Sequence, residues 1–157
     1  MNVRTYRDAA RSQTMDDALS FAVHSAALSV HRAYRQILRP LGLTYPKYLV
    51  MQALWDCDEL SVSEVGDRLF LDSGTTTPLL KKLESSGLLV RRRSTTDERR
   101  VIVTLTEAGR ALQPACSSVT ERVSHTMKLN QSQVASLRSD LEQLRNNLFA
   151  SAVTEAS

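Results

Sequence analysis

Between Ser61 and Leu105 the sequence spells two short helices, a stop and a hairpin, and this order constrains the fold more than any other feature. Ser61 and Glu64 stand three apart before an apolar run. That is a capping box, in which the serine hydroxyl takes the N3 backbone N–H and the glutamate reaches back. The helix it opens turns Val62, Val65 and Leu69 inward. Leu71-Asp72-Ser73 is a tight break. Residues 74–86 form the next helix, with Leu79, Leu80 and Leu83 inward, and Gly87 ends it at a position that favours left-handed backbone. Two short helices joined by a three- or four-residue turn make a helix-turn-helix. Residues 88–90 and 101–105 are β-rich runs around a polar tip, which reads as a hairpin.

Helices flank this middle. Residues 1–14 are polar, carry Arg4, Arg7 and Arg11, and read as a flexible tail. Thr14 or Asp16 then caps a helix in which Leu19, Val23, Ala26, Val30, Ala33 and Ile37 recur at spacings of three and four. Pro40 and Gly42 stop it. Thr44 caps a second helix, with Pro46 in its first turn and Leu49, Val50, Ala53, Leu54 and Trp55 inward. Thr106 caps a helix continuing to about residue 127, with Ala111, Leu112, Ala115, Val119 and Val123 on its apolar side. Asn130 and Gln133 form another capping box, followed by Leu137, Leu141, Leu144 and Leu148 at spacings of four, three and four. Narrow apolar stripes at both ends of the chain suit assembly of a dimer. The expected organisation is a tail at 1–14, dimerisation helices at 15–40 and 107–153, and a helix-turn-helix lobe with its hairpin at 44–106. The fold class is mainly α with a small β-hairpin wing.

Composition narrows the function. The 157 residues hold 42% apolar side chains, enough for a core, and only five glycines and four prolines, too few for a turn-dense β protein. No run reaches the roughly eighteen apolar residues of a membrane span, and no secretory signal opens the chain, so a soluble, cytoplasmic protein with no membrane partner is expected. Cys57 and Cys116 lie far apart with no CxxC, which excludes a disulfide scaffold and a cysteine zinc site. Cys57, ending an apolar helix, reads as a buried filler. His24, His31 and His125 form no ligand cluster. No cofactor and no catalytic constellation is indicated.

Charge is concentrated at one place. The chain carries a formal +3. Residues 91–100 hold Arg91, Arg92, Arg93, Arg99 and Arg100 against Asp97 and Glu98, a surplus of three that equals the whole. A hairpin carrying this surplus just after a helix-turn-helix suits the phosphates of double-stranded DNA. The outer face of helix 74–86 adds Ser73, Thr75, Thr76, Thr77, Lys81 and Lys82, short hydroxyls and flexible cations at the turn where a recognition helix meets bases and phosphates. Aromatic residues are absent from this surface, which disfavours stacking on single strands. Arg99 is the candidate for entering a minor groove, with Asp97 placed to orient it by a charge-assisted hydrogen bond.

Leu60–Leu69, Leu83–Leu89, the tip Asp97-Glu98-Arg99 and Val103–Gly109 resemble the MarR family of winged helix-turn-helix repressors. Leu41–Leu49 and Arg68–Lys81 are similar to its organic-hydroperoxide regulators. The resemblance implies a homodimer on a pseudo-palindromic operator. It also implies a sensing cysteine near the start of the first helix, hydrogen-bonded by two tyrosines. The tyrosines match Tyr34 and Tyr45; the cysteine position falls on Ser20. Serine does not enter the thiol oxidation ladder, yet its shape preserves the reduced geometry. Either the chain is a cysteine-to-serine variant of a sensor, or it is a natural member reading another signal. Ser20 and Tyr34 are fourteen residues apart on one helix, about 21 Å, so the constellation needs residues from two subunits. The place of a second, resolving cysteine falls near His125, while Cys116 lies nine residues earlier. Two inputs remain open: an organic hydroperoxide, or a small aromatic or anionic effector. An enzyme lacks a nucleophile here, and a helical adaptor leaves the arginines unexplained.

Overall fold

The computed structural model describes Met15 and residues 18–155. The candidate caps Thr14 and Asp16 and the tail at 1–14 lie outside these residues. The described chain falls into two compact units, one reaching Val119 and the other starting at Thr120.

In the first unit, α1 (Leu19–Leu38) begins after Ala18, which makes no side-chain cap. A 3-10 turn, Arg39–Leu41, follows, with Pro40 in it and Gly42 left-handed at φ 70°. Helix α2 (Tyr45–Asp56) has Pro46 in its first turn, where a missing N–H costs nothing. Thr44 holds the N-cap position in extended backbone, but its hydroxyl makes no cap hydrogen bond. Helix α2 buries Tyr48, Val50, Met51, Ala53 and Leu54. Leu49 and Trp55 are only half-buried.

The two-residue strand β1 (Leu60–Ser61) precedes α3 (Val62–Leu69). The capping box forms: the Glu64 N–H donates to Ser61 Oγ at 3.2 Å and the Ser61 N–H to Glu64 Oε2 at 2.7 Å. Helix α4 (Ser73–Ser85) is capped by Asp72, whose Oδ1 accepts the Thr75 N–H at 2.8 Å. Ser73 is therefore the first helical residue rather than part of the break. Gly66 lets the two helices close up: a Cβ there would stand 2.9 Å from the Leu71 carbonyl oxygen and 3.1 Å from Thr76 Oγ1. Helix α4 ends in a paired closure, with the Gly87 N–H donating to the Glu84 oxygen (2.8 Å) and the Leu88 N–H to the Leu83 oxygen (3.2 Å).

Strands β2 (Leu89–Arg93) and β3 (Val101–Leu105) pair antiparallel from Leu89↔Leu105 to Arg93↔Val101. On the other edge β3 takes β1, with Leu60↔Val103 and Ser61↔Ile102, so the hairpin becomes a three-stranded sheet in the order β1-β3-β2. Leu38, Met51, Leu54, Val65, Leu80, Leu83, Leu89 and Val103 are fully buried, a core to which helices and sheet both contribute.

The single helix expected from Thr106 to about residue 127 is broken. It is α5 (Glu107–Ala111), α6 (Gln113–Cys116) and α7 (Val119–Met127). Pro114 accounts for the first break: it has no N–H, and its ring clashes with the carbonyl four residues back. The face shifts accordingly. Cys116, Val119 and Val123 are buried, while Ala111 and Ala115 are exposed. In the second unit α8 (Gln131–Glu155) opens with the expected box, Asn130 N–H to Gln133 Oε1 at 3.0 Å and Gln133 N–H to Asn130 Oδ1 at 2.9 Å. No described helix is long and apolar enough to cross a membrane.

Candidate nucleic-acid interface

Helix α4 divides its polar residues between two sides. Ser73, Thr75, Lys81 and Lys82 are exposed and Thr77 is half-buried. Thr76 is the exception among the residues read as facing DNA. It is 1% exposed, and its hydroxyl donates to the Asp72 carbonyl at 2.8 Å. The structure therefore gives it a packing role against Gly66. The Thr75 hydroxyl donates to Asp72 Oδ2 at 3.2 Å, so it shares the cap while remaining at the surface.

The five wing arginines are not equivalent. Arg91 is clamped by Glu84 of α4: its Nε and Nη2 donate to Oε2 at 2.9 and 2.7 Å, and its backbone N–H to Oε1 at 3.0 Å. Arg100 Nη2 donates to Glu64 Oε2 at 3.2 Å, which ties the far end of the hairpin to the start of α3. Among the described residues, the guanidinium groups of Arg92, Arg93 and Arg99 have no ion-pair partner, and all three side chains are exposed. The unneutralised charge thus sits on these three and on Lys81 and Lys82.

Asp97 orients the tip, though differently from expectation. Its Oδ1 accepts the backbone N–H of Arg99 at 3.0 Å, not the guanidinium. Its carbonyl accepts the Arg100 N–H at 2.9 Å, and Ser94 closes the loop with its N–H on the Arg100 oxygen at 2.9 Å. The carboxylate shapes the turn from which Arg99 projects. Glu84 and Glu64 are the residues the sequence reading did not assign to the wing. Glu84 and Arg91 stand seven positions apart with Gly87 between them, and that acid opposite an arginine across a turn was the available signal.

Hydrogen bonds from Arg91 hold the Glu84 carboxyl below the ordinary 4.5, and bonds from Ser61, with the Arg100 charge, do the same for Glu64. A depressed carboxyl contributes stability above its unfolded value and loses it as pH falls through its folded value. The thermal midpoint should therefore fall as pH drops from about 5 toward 3, and Glu84→Gln should flatten that fall; a circular-dichroism melt series across this range measures both.

The other candidate site is aromatic. Buried Tyr34 stacks on Tyr45 with ring centroids 4.1 Å apart and planes at 26°; Tyr48 lies 5.9 Å from Tyr34, and His31 meets Tyr45 edge-on at 5.1 Å. Burial, then the neighbouring Tyr34 and Tyr48, raises the Tyr45 phenol above its usual value. Ser20 is exposed on the first turn of α1, about 21 Å along the helix from Tyr34. The structure brings the two tyrosines together and leaves the serine apart from them within one chain. Cys57 is exposed, not buried as expected: it is the C-cap of α2, where the backbone has already left the helix for an extended conformation. Cys116 is buried, and burial pushes its thiol up, away from the reactive thiolate. No group of His, Cys, Asp and Glu among the described residues could hold a metal ion.

A helix-turn-helix backed by a three-stranded wing with three unpaired arginines defines a winged-helix DNA-binding protein. Residues 32–115 match the family described as Transcriptional regulator SarA/Rot. The chain is 44% identical over 140 residues to the HTH-type transcriptional regulator TtmR of Methylorubrum extorquens, covering 89% of this chain and 72% of that one. It is 34% identical over 135 residues to the organic hydroperoxide resistance transcriptional regulator of Bacillus subtilis, covering 86% and 87%. Among solved structures, reduced AbfR bound to DNA is similar with a TM-score of 0.69 at 34% identity, over 83% of this chain and 92% of that one. The chain belongs to the SarA/MarR winged-helix family of transcriptional regulators. It is a DNA-binding regulator, and the nature of its relatives implies a role without catalysis.

Proposed function

We propose that this protein is a cytoplasmic, homodimeric repressor that grips a pseudo-palindromic duplex. It has the build of a peroxide sensor but carries serine where the oxidisable thiol would stand. The observation that carries the reading is the set of exposed, unneutralised cations on α4 and the wing: Lys81, Lys82, Arg92, Arg93 and Arg99. Bases and phosphates would be met by α4 through Ser73, Thr75 and Thr77. Assembly is supported by apolar side chains left open on one copy: Leu19 (65% exposed) and Leu28 on α1, Leu137, Leu141 and Leu148 (63%) on α8. Exposed apolar surface on this scale marks an interaction site. In a dimer, Ser20 of one copy would meet Tyr34 and Tyr45 of the other. A hydroxyl there keeps the reduced shape and cannot be driven to a sulfenic acid.

The compact Tyr34–Tyr45 stack, together with a serine at the position of the sensing thiol, favours one second reading, a small aromatic or anionic effector docking near these rings. One experiment tests both. A duplex is selected by the protein from a random-sequence pool, and its affinity is followed by fluorescence anisotropy, with light scattering for mass. The expected particle has twice the 17.5 kDa chain mass. It should hold the duplex equally with and without an organic hydroperoxide, whereas Ser20→Cys should release it on oxidation. A monomer, or release of the unsubstituted protein by peroxide, would overturn the proposal. Release by a phenol or carboxylate with peroxide inert selects the second reading.

A further inference from the structure

Asp58 lies just past the end of α2, in the turn that leads into β1. Its carboxylate joins three elements. Oδ1 accepts the N–H of Glu59 at 3.0 Å and the N–H of Leu105 at 2.9 Å, and Oδ2 accepts from Arg110 Nη2 at 2.6 Å. Leu105 is the last residue of β3 and therefore the root of the wing; Arg110 lies on α5. The sheet explains the position. β1 pairs with β3 only at Leu60↔Val103 and Ser61↔Ile102. Continuing that register backward brings residue 58 opposite residue 105, beyond the end of the strand. The Asp58 side chain takes the N–H that a longer β1 would have taken.

Other contacts make this root a junction. From α2, Trp55 Nε1 donates to the Gly109 oxygen at 3.0 Å. From the α4 side, Thr106 Oγ1 donates to the Gly87 oxygen at 2.6 Å and the Thr106 N–H to the Leu88 oxygen at 3.1 Å. The wing thus leaves the body between α2 and the end of α4. Asp58 is the one carboxylate holding it on the α2 side among the described residues. Burial alone would raise this carboxyl, but the Leu105 and Glu59 N–H groups and Arg110 outweigh burial and keep it ionised and in place. A small rotation at a hairpin root becomes a large displacement at its tip, where Arg99 stands.

We propose that Asp58 is a positioning residue for DNA binding: through Leu105 and Arg110 it sets the angle of the wing and so the aim of Arg99 at the duplex. The inference rests on the reading of Arg99 as a DNA contact. Its sign separates it from simple electrostatics. Removing an acid from a protein that binds a polyanion raises affinity when charge alone acts; here removal should lower it.

The test is a double-mutant cycle on the full chain, with the duplex selected from the random pool. Asp58→Ala should weaken binding about tenfold and Arg110→Ala several-fold, while in an Arg99→Ala background each should change affinity less than twofold. Both variants are checked by thermal melt to be folded at the assay temperature. Arg110→Ala leaves the Asp58–Leu105 bond intact and serves the cycle if Asp58→Ala does not fold. Unchanged or tighter binding by both variants, or equal losses with and without Arg99, would overturn the proposal. If Arg99→Ala itself binds like the unsubstituted protein, the reading of the wing tip falls first and the proposal with it.

Discussion

Gly109→Ala should be the most destabilising of the chain's five glycine-to-alanine substitutions, lowering the unfolding free energy by about 4 kcal/mol. Gly109 stands at the third position of α5, where the helix presses on the backbone of Leu88. A Cβ would collide with the Leu88 carbonyl and stand 3.2 Å from Leu105 Cδ2. The obstacle is main chain, held by the Thr106 N–H on the Leu88 oxygen at 3.1 Å. It cannot rotate away as a side chain would, so the cost belongs at or above the upper end of overpacking, about 3 kcal/mol. Displacing α5 also strains two hydrogen bonds at Gly109 itself, its N–H on Thr106 Oγ1 at 3.0 Å and its carbonyl under Trp55 Nε1 at 3.0 Å. Each is worth about 1 kcal/mol. Against a total stability of about 5–15 kcal/mol this is severe.

Gly87→Ala is the matched control. Gly87 has a left-handed φ of 72° with nothing within 4 Å of an added Cβ. Alanine there meets only the backbone cost of that region, about 1–2 kcal/mol. Denaturant unfolding of the two variants at one protein concentration should rank Gly109 well below Gly87. The reverse order, or equal losses, would mean that α5 can move off Leu88 freely.

These two glycines also mark how far the sequence could be read. Gly87 was legible because a helix stop is a local event: a glycine after the last inward leucine announces a left-handed residue. The same holds for the Ser61–Glu64 and Asn130–Gln133 boxes, which need only residues three apart. Gly109 was not legible as a contact, since what it approaches lies twenty-one residues earlier across the wing. Strand β1 was hidden because two residues inside a capping signal carry no alternation. The break at Pro114 was missed although the residue was in view, because the apolar spacing around it continues to look helical. In the candidate interface, residue types and the charge surplus were readable from the sequence. Which cations are already neutralised was not, because that depends on Glu84 and Glu64 reaching the wing from α4 and α3. Thr76 shows the same limit on one helix: a threonine between an exposed and a half-buried threonine is turned inward by helical geometry, and only the close approach at Gly66 explains why. Site residues that act by exposure follow from composition; those that act by holding other residues follow from the fold.

Arg99→Ala should cut duplex affinity by roughly ten- to a hundredfold per wing, the about 1–3 kcal/mol expected for a base- or groove-reaching arginine. Its backbone N–H is fixed by Asp97 Oδ1 at 3.0 Å, so the side chain leaves a defined turn. Its guanidinium has no acid to leave and thus no ion pair to break on meeting DNA. The dependence of affinity on salt should become shallower by about one counterion per wing. Arg91→Ala, in the middle of β2 rather than at the tip, should behave differently. Arg91 is already bonded to Glu84 through Nε, Nη2 and its own N–H. A guanidinium engaged in this way must surrender those bonds before it can serve a phosphate. Its loss should appear first in stability, because a half-buried Glu84 carboxylate keeps the Arg91 N–H but loses its counter-charge. The test is a pair of salt titrations and a pair of melts. Arg99→Ala should shift the slope and leave the melt unchanged, and Arg91→Ala should lower the melt. An Arg99 variant with the affinity and salt slope of the unsubstituted protein would place the tip away from DNA, and the charge surplus of the wing would then need another partner.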